Sequence, residues 1–467
     1  MSLSVHEAAV DCPDGIALDV GGEVVTFREL AKQVSLRAAL VRKATEGLSC
    51  DEPVALVGAS DQATLETVYA LVTMGRPVLL VHPRLTEAER NAVLESIQPA
   101  RVLVAELSPV DQAPSPVFEP VDDSRCLAIL MTSGTTGRHK GVVLSRRAFL
   151  ASARASEKNM RLSRNDRWLL GLPIAHVGGL SILTRSLLAR STVVVPKEIT
   201  LGQRLDADGL ARVMDDARVT LASLVPTQLE WLLARDPPWR APPHLRAVLL
   251  GGAAARPALL DRAADRGVPV LTTYGLTEAC SQVTTQIVGT INRGELGSGP
   301  PIAGVEVRTS GGVIEVRGPT LFGGYVPAPA EPVFSADGWF ATNDLGHFDA
   351  SGNLHVVGRR SELVITGGEN VHPVEVETII ELCPGIAAAC AFGVPDDTWG
   401  EILAVAVVGA PDGPPSDMEL AAFVRARLSP HRRPRRVAVL DGLAVTPLGK
   451  LDRVGTRVRA LGRLRPL

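Results

Sequence analysis

The sequence predicts an α/β fold: a large N-terminal domain of layered sheets and helices with a β-rich subdomain, and a small α+β C-terminal domain. Short runs of Val, Leu and Ala alternate with amphipathic segments, which is typical of parallel α/β layers. From residue 305 to residue 355 the pattern changes to short strands with Gly-rich turns. The chain has 467 residues, more than one hydrophobic core usually serves, so at least two domains are expected.

The first part of the chain carries apolar runs of strand length, separated by segments with a helical period. Leu65, Val68 and Leu71 recur at helical spacing, so a helix is predicted over 62–74. Runs of four or five apolar residues are too short for helices and indicate buried strands. These runs lie at 53–57, 77–81, 101–104, 192–195 and 247–250.

The stretch 305–358 is predicted to form the β-rich subdomain. Its strands are expected at 305–308, 313–316 and 353–357. Beyond it, Pro373 is predicted to open a helix, because proline is favoured in the first helical turn. Apolar strands are then predicted at 386–394 and 402–408.

Composition is that of an ordinary globular protein, with 46% hydrophobic and 21% charged residues and a net charge of −3. This balance gives no reason to expect a nucleic acid partner. No stretch approaches about 18 uninterrupted apolar residues, so membrane insertion is not expected. Acidic residues such as Asp11 interrupt any secretory apolar region near the N-terminus. The six cysteines form no C-x-x-C pair, which argues against a metal site or disulfide framework and predicts a cytoplasmic location.

The most informative local feature is a polar insert at 131–143, which follows a predicted strand and should form a loop at the end of a sheet. Glycines let backbone amides approach an anion, hydroxyls donate to phosphate oxygens, and a lysine adds positive charge. Gly141 follows Lys140 where a Walker loop needs Ser or Thr, so that class is excluded. The candidate phosphate-binding residues are Thr132, Ser133, Gly134, Thr135, Thr136, Gly137 and Lys140.

The loop 132–140 resembles the phosphate-contacting loop of the acyl-adenylate-forming (AMP-binding) superfamily, which includes acyl-CoA synthetases, peptide-synthetase adenylation domains and luciferases. An isolated match could be a Ser/Thr/Gly-rich linker. Further segments, however, resemble the superfamily's other motifs in the same order along the chain. These segments are 25–30, 75–86, 172–181, 274–278, 339–346, 358–371 and 447–450.

The resemblance implies a two-step reaction with ATP, Mg²⁺ and coenzyme A, the last as co-substrate. A carboxylate attacks the α-phosphorus of ATP, giving an acyl-AMP and pyrophosphate, and the thiol of coenzyme A then displaces AMP. Lys450 is expected to bridge the substrate carboxylate and the nucleotide. Glu278 would bring Mg²⁺ to the phosphates, and Thr277 would contact the α-phosphate.

The resemblance also assigns the nucleotide site. Tyr274 is expected to stack on adenine and Gly252 to lie beside the nucleotide, while Asp344 and Arg359 hold the ribose or phosphates. Some positions depart from the usual motifs, without an expected loss of function. They are His139 for proline, Asn343 for glycine, Glu362 for aspartate and Leu448 for serine.

In that superfamily the small C-terminal domain rotates between the two steps, here about residues 360–361. We therefore expect domains 1–358 and 359–467, the second of them mobile. After rotation Lys450 leaves the site, and Gly367 and Gly368 come to line the tunnel for the thiol. A narrow pantetheine channel is served by a wall without side chains.

Within the superfamily, the segments around the acyl channel most resemble those of the o-succinylbenzoate–CoA ligases of menaquinone biosynthesis. The resemblance places His176 as a residue that lines this channel and takes part in catalysis. A second carboxylate on the acid needs a cation or donor, and Arg185 is a candidate, although it could instead face solvent. The residues expected to surround the acid are His176, Ser223, Gly251, Gly252 and Ser281.

Three other functions are compatible with parts of the sequence. They are another aryl- or acyl-CoA synthetase, a stand-alone adenylation enzyme that loads a carrier protein, and a non-catalytic nucleotide-binding protein. Retention of Lys450, Glu278 and Arg359 argues against the last. The C-terminal stretch 425–465 carries 12 Lys and Arg, which form either a solvated basic face or a surface that attracts coenzyme A.

Overall fold

The structure, a computed structural model, describes residues 2–104, 121–133, 139–203, 205–446 and 451–467. The strands are β1 (Ile16–Val20), β2 (Glu23–Thr26), β3 (Val54–Val57), β4 (Val78–Val81), β5 (Arg101–Val104), β6 (Cys126–Ser133), β7 (His139–Ser145), β8 (Arg167–Leu169), β9 (Thr192–Val195), β10 (Leu221–Leu224), β11 (Ala247–Leu250), β12 (Val270–Leu276), β13 (Ser281–Thr285), β14 (Glu306–Ser310), β15 (Val313–Arg317), β16 (Gly324–Val326), β17 (Phe340–Phe348), β18 (Leu354–Arg359), β19 (Val364–Thr366), β20 (Glu369–Val371), β21 (Ile386–Asp396), β22 (Gly400–Gly409), β23 (Arg436–Val439) and β24 (Arg465–Pro466).

The helices connect these strands. They are α1 (Val5–Asp11), α2 (Phe27–Ala44), α3 (Gln62–Met74), α4 (Glu87–Ile97), α5 (Arg146–Met160), α6 (Val177–Ala189), α7 (Lys197–Thr200), α8 (Ala207–Asp216), α9 (Pro226–Leu233), α10 (Pro257–Asp265), α11 (Pro373–Ile380), α12 (Asp417–Arg427) and α13 (Arg453–Leu461). Short 3-10 turns span Thr277–Ala279, Arg360–Glu362 and Pro430–Arg432.

Two large sheets form the N-terminal unit. One has the strand order β13-β12-β11-β10-β8-β9-β1-β2, and its inner strands from β12 to β1 are parallel. The other has the order β16-β7-β6-β4-β3-β5, of which β6, β4, β3 and β5 are parallel. The prediction of layered, largely parallel sheets is confirmed.

Helix α3 is the helix that the sequence predicted over 62–74, and local interactions fix both of its ends. Asp61 accepts a hydrogen bond from the Thr64 amide (2.8 Å) at the N-terminus. The helix ends at Gly75, which has a φ of 65°, a left-handed conformation that favours glycine. A Cβ there would lie 2.6 Å from the Val121 side chain. The C-terminal end of α3 is therefore set by backbone geometry as well as by the hydrophobic period of its sequence.

A single hydrophobic core includes side chains of both large sheets. It joins Leu80 of β4 and Leu221 of β10 to Phe149 of α5 and Leu183 of α6. Residues Gly179–Ala189 of α6 are all buried. A helix enclosed on every side buries whatever polar residues it carries, which matters for Arg185 below.

Residues 308–315 and 341–467 group together as a C-terminal unit, and residues 1–307 and 316–340 form the N-terminal unit. The C-terminal unit has a sheet of order β20-β19-β22-β23-β24, with β21 paired to β22. Strands β14, β15, β17 and β18 form a further sheet, which confirms a β-rich stretch in this region. The border predicted between residues 358 and 359 concerns movement, and it stays a prediction.

The strands and helices predicted from the sequence are present within a few residues of their predicted ends. The helix predicted to open at Pro373 begins there. Among the described residues, no helix is long and apolar enough to cross a membrane.

Arg453 organises the C-terminal unit around the start of α13. Its guanidinium pairs with the carboxylates of Glu362 (3.2 Å) and Glu377, and it donates to the Ala391 carbonyl at 2.7 Å. Burial alone would lower the pKa of Arg453, but the charge of Glu377, its hydrogen bond to the guanidinium and the charge of Glu362 act together with Cys390 to outweigh burial, and the pKa is raised. Glu377 also accepts from the Ala391 amide at 2.7 Å. The arginine therefore ties α13 to α11, β21 and the turn that contains Glu362.

Arg453→Met should destabilise the C-terminal unit, because it leaves the buried Glu377 carboxylate without its counter-charge. Breaking one side of a buried ion pair costs about 3–5 kcal/mol. The loss can be measured by urea-dependent hydrogen exchange of the β21 and β22 amides. Arg465→Met is the matched control, because the Arg465–Asp417 pair is about 40% exposed and such pairs contribute about 0–1 kcal/mol. Equal effects of the two variants would contradict the role given to Arg453.

Candidate active site

The carboxyl ends of the parallel strands of both large sheets come together in the N-terminal unit. His82 follows β4 in one sheet, and His176 lies in the segment between β8 and α6 in the other. Their rings are 5.8 Å apart between centroids, at an interplanar angle of 42°. Ligands of open parallel sheets bind at the carboxyl ends of the strands. This edge is therefore the candidate active site.

The predicted phosphate loop lies on the hairpin of β6 and β7. Thr132 pairs with Lys140 in the ladder, and Ser133 pairs with His139. The Thr132 hydroxyl lies 3.5 Å from the Lys140 carbonyl, to which it donates. The hairpin thus brings the two ends of the predicted loop side by side. Gly134, Thr135, Thr136 and Gly137 lie outside the described residues.

Glu278, the predicted magnesium ligand, is held by a tyrosine from another strand. The Tyr325 hydroxyl of β16 donates to Glu278 Oε1 at 2.9 Å. Burial, and then the nearby Glu278 charge, raise the pKa of Tyr325, so its hydroxyl remains a donor. Lys140 Nζ lies 5.4 Å from the centroid of the Tyr325 ring. Tyr325 therefore connects the end of the phosphate loop to the predicted metal ligand.

The segment after β12 has an unusual backbone. Thr277 and Glu278 lie in a 3-10 turn, followed by Cys280 and Ser281 with φ angles of 54° and 95°. Non-glycine residues seldom adopt positive φ, and such strain is concentrated at functional sites. Tyr274, the predicted adenine contact, is 8% exposed, so most of its ring is buried. The strained turn fixes where Glu278 and Ser281 lie relative to β12.

Ser223 and the glycines predicted to surround the acid follow neighbouring strands. Ser223, in β10, accepts a hydrogen bond from Trp168 Nε1 at 3.1 Å. The Gly251 amide, at the end of β11, donates to the Leu224 carbonyl (3.2 Å), and Gly252 has a φ of 81°. The structure therefore places Ser223 in β10 and Gly251 and Gly252 directly after the neighbouring parallel strand β11, and their role around the acid stays a prediction.

Arg185 is buried, which excludes the alternative that it faces solvent. It is 1% exposed, and its Cζ lies 5.6 Å from the Trp168 ring centroid. Within the described part of the chain, its Nε and Nη2 have no hydrogen-bond partner, and no carboxylate pairs with it. Burial lowers the pKa of Arg185 to about 10, so the group still carries its charge at neutral pH. The protein therefore keeps an uncompensated cation one side chain away from Ser223.

In the C-terminal unit, the two predicted ribose-binding residues are paired. Asp344 of β17 faces Arg359 of β18 in the ladder, and their charged groups lie 3.3 Å apart. Asn343, which departs from the usual glycine, donates through Nδ2 to the Ser361 hydroxyl at 2.7 Å. Asn343 is therefore hydrogen-bonded to Ser361, which lies in the turn about which rotation is predicted.

The predicted thiol-tunnel glycines adopt left-handed conformations, with φ of 59° at Gly367 and 84° at Gly368. A Cβ on Gly367 would lie 2.6 Å from the Trp399 ring, whereas one on Gly368 would meet open space. Trp399 in turn packs under the Arg435 guanidinium, 4.0 Å from the ring centroid. Gly367 is therefore required for packing and Gly368 for backbone conformation. Lys450 lies outside the described residues.

Part of the basic C-terminal stretch serves the fold. Arg432 pairs with Glu375 at 3.1 Å, and Arg433 donates to the carbonyls of Leu428 and Arg425 at 2.8 and 3.0 Å. Those two arginines therefore have contacts within the fold, which the prediction of a solvated basic face did not include. Attraction of coenzyme A by the stretch as a whole stays a prediction.

Sequence reasoning missed two residues of the site, Tyr325 and His82. Tyr325 is one of only three tyrosines and follows a Gly-Gly pair, but nothing local indicates a partner 47 residues away. His82 lies in the segment 75–86, which resembles a motif of the superfamily. The resemblance assigned no role to this histidine. Both residues act across strand ends, which a linear pattern does not show.

Comparison with protein families assigns the class. Residues 105–326 match the family of AMP-binding enzymes, and residues 375–450 match the AMP-binding enzyme C-terminal domain. The chain therefore belongs to the AMP-binding enzyme family, as its motifs predicted.

Within the family, individual proteins that resemble this chain can be named. The 2-succinylbenzoate–CoA ligase of Bacillus licheniformis is 34% identical, over 94% of this chain and 96% of the relative. The o-succinylbenzoate CoA synthetase from Bacillus subtilis, in complex with the acyl-adenylate intermediate OSB-AMP, has a TM-score of 0.87 at 28% identity, with 97% of each chain covered. A structure of the same synthetase with ATP and magnesium ion has a TM-score of 0.86.

The residues present fit a magnesium ion. Mg²⁺ in nucleotide sites usually takes one or two carboxylates together with substrate phosphates and waters. Glu278 supplies a carboxylate, and the hydrogen bond that it accepts from the Tyr325 hydroxyl fixes its orientation.

Tyr325→Phe should raise the Mg²⁺ concentration needed for half-maximal ATP binding by about 10-fold or more. It removes the donor to Glu278 but keeps the ring beside Lys140, and loss of such an outer partner typically costs about 10–100-fold. Calorimetric ATP titrations at several Mg²⁺ concentrations measure the change. The matched control is Tyr69→Phe, because the Tyr69 hydroxyl donates to the Leu183 carbonyl, at 3.4 Å in the core. An unchanged Mg²⁺ requirement in Tyr325→Phe would refute the positioning role.

Proposed function

We propose that this protein is an AMP-forming acid–thiol ligase that converts 2-succinylbenzoate (o-succinylbenzoate) to its coenzyme A thioester. ATP and coenzyme A are the co-substrates, and the partners are small molecules alone. The relatives named above support the reaction class. The buried, uncompensated Arg185 beside the acyl-pocket residues is the observation that carries the choice of a dicarboxylic acid.

The first step makes the carboxylate reactive. Its oxygen attacks the α-phosphorus of ATP, the bond to the β-phosphate oxygen breaks, and pyrophosphate leaves with the electron pair. Negative charge crowds the transition state, so positioned cations and donors supply most of the catalysis. Lys140 and the hydroxyls of the loop would hold the departing pyrophosphate, and Lys450 would contact the reacting carboxylate. Mg²⁺, when bound at Glu278, neutralises phosphate charge.

The second step uses the same acyl centre for a thiol. The sulfur attacks the acyl carbonyl, and AMP leaves. We propose that residues 359–467 move about residues 360–361 between the steps, so that Lys450 withdraws and Gly368 approaches the pantetheine arm. The Asn343–Ser361 hydrogen bond and the Arg453–Glu362 ion pair are the contacts within the C-terminal unit that bear on this turn.

A buried guanidinium without a counter-charge is costly to the free protein, because transfer of a charge into the interior is strongly unfavourable. Arginine binds a carboxylate through two parallel hydrogen bonds, and Nε and Nη2 lie on one edge of the guanidinium. These are the two nitrogens without a partner. A ligand carboxylate would satisfy both at once. Arg185 is therefore suited to the second carboxylate of 2-succinylbenzoate.

Arg185→Met should abolish the preference for a second carboxylate. We compare kcat/KM for 2-succinylbenzoate and for 4-oxo-4-phenylbutanoate, the same acid without the ring carboxylate. Loss of one partner of a buried charged pair costs about 3–5 kcal/mol, so the wild-type preference should fall by about 10²–10³-fold or more. The same variant should unfold at a higher temperature without ligand. At pH 7, below the folded-state pKa of about 10, the full cost of the buried charge is present, and methionine removes it.

Arg190→Met is the matched control, since Arg190 ends the same helix and its side chain is also buried. Arg190 has a counter-charge, because its Nη2 lies 2.8 Å from Asp11 Oδ2. Its loss should lower the unfolding temperature and leave the preference between the two acids unchanged. A preference that survives in Arg185→Met would reduce the proposal to a general acyl-CoA ligase.

Lys450→Ala should slow acyl-AMP formation far more than thioester formation from supplied acyl-AMP. A lost contact to charge that develops in the transition state costs about 10²–10³ in rate. Pyrophosphate release without coenzyme A reports the first step, and thioester yield from synthetic acyl-AMP reports the second. Equal losses in both steps would argue against the role of Lys450 and against its withdrawal.

We also propose a cytoplasmic location. Cys12, Cys50, Cys126, Cys280, Cys383 and Cys390 are all unpaired thiols. Disulfides are rare where thiols are kept reduced, as they are in the cytosol, and six unpaired thiols support that compartment.

A further inference from the structure

We propose that His82 is a positioning residue for thioester formation: it holds the His176 imidazole as the acceptor of the thiol proton. This inference rests on the proposed function. The superfamily motifs assign no role to His82, and the first half-reaction does not need one.

The position of the pair supports a role at the acyl–phosphate bond. Strands β4 and β6 are parallel neighbours, with Val78 opposite Ala128 and Leu79 opposite Ile129. Continued past these residues, the register sets His82 level with Thr132, where the phosphate loop begins. Neighbouring strands lie about 4.8 Å apart. His82 thus stands one strand away from the phosphate-binding hairpin.

His176 approaches from the acyl side. It precedes α6, the helix that carries Arg185, and follows β8, which runs parallel to β10 and its Ser223. The contact between His82 and His176 is therefore a direct link between the phosphate side and the acyl side. The bond that is made in the first step and broken in the second lies between these two sides.

The orientation of His82 is fixed by its own loop. The Arg84 amide donates to His82 Nδ1 at 3.1 Å, which leaves the proton of the neutral ring on Nε2. The Arg84 side chain donates from Nε and Nη2 to the Gly202 carbonyl, at 3.2 and 3.1 Å, and so braces the loop. Burial, and then the charge of Arg84, lower the pKa of His82. The Arg84 guanidinium is the charged group that acts on this ring, and His176 is the titratable side chain in contact with it.

An uncharged His82 allows His176 to take up a proton, whereas a second imidazolium at this distance would oppose it. In the step, the thiol proton passes to a His176 ring nitrogen as the sulfur–carbon bond forms. The bond between the acyl carbon and the phosphate oxygen breaks, and AMP leaves with that electron pair. The imidazolium then returns its proton to water. The thiolate is the nucleophile, and even a free cysteine thiol has a pKa of about 8.5, so near neutral pH the thiol of coenzyme A is mostly protonated and needs such an acceptor.

The test measures both half-reactions, from pH 6 to pH 9, in wild type, His82→Asn and His82→Ala. Asparagine keeps an acceptor for the Arg84 amide but has neither the ring nor its nitrogens. We expect His82→Asn to form acyl-AMP at close to the wild-type rate. Its thioester formation at pH 7 should be slower by about 10²-fold, the low end for general acid–base catalysis. The defect should shrink toward pH 9, where the thiol ionises without help.

Two outcomes would overturn the proposal. One is wild-type thioester formation by His82→Asn together with a defect in His82→Ala, which would limit His82 to bracing its loop. The other is an equal, pH-independent loss in both half-reactions. Failure of the proposed function is distinguishable, because wild type itself would then make no thioester from supplied 2-succinylbenzoyl-AMP.

Discussion

In both large sheets the central strands are parallel, so the carboxyl ends of those strands lie together at one edge of each sheet, and in this protein the two edges meet. The His82–His176 contact joins them on one side of the phosphate hairpin. Tyr325 joins them on the other, because it lies beside Lys140 of one sheet and donates to Glu278 after β12 of the other. The strand ends that carry the predicted phosphate, metal and acyl-pocket residues take their relative positions from this meeting. A shift of either sheet would separate groups that we propose to act on one phosphorus and one carbonyl.

The helix that follows His176 explains how a charge comes to lie inside the core. Helix α6 packs against α1, α5, β9 and β13, and its residues Gly179–Ala189 are all buried, so its apolar residues stabilise the fold on every face. Arg185 interrupts that surface and costs stability in the free protein. Arg190, on the same helix, meets Asp11 and carries no such penalty. Arg185 and Arg190 are five residues apart, and the contrast between them supports the proposal that the first binds a ligand and the second serves the structure.

The strands, the helix α3 and the order of the motifs could be predicted from the sequence, because they depend on local period and on short patterns. The environment of each side chain could not be predicted from the sequence. Arg185 lies in a run that is apolar on all faces, so the pattern did not say whether it pointed inward or toward solvent. Asn343 could be recognised as a departure from glycine, but its partner Ser361 is brought near only by the pairing of β17 with β18. Tyr325 and His82 likewise act through contacts between strands that are distant in sequence.

The most direct measurement of the central claim is pyrophosphate release by the wild-type protein with ATP and Mg²⁺, across a panel of carboxylic acids, with and without coenzyme A. The panel contains 2-succinylbenzoate, benzoate, a hydroxybenzoate and octanoate. A site that joins a phosphate loop to a pocket with an unpaired arginine should release pyrophosphate with 2-succinylbenzoate before coenzyme A is added, and should form the thioester after it. It should reject benzoate strongly, because Arg185 would stay buried and unpaired. Equal turnover of benzoate or octanoate would contradict the claim that this edge is built for a dicarboxylic acid.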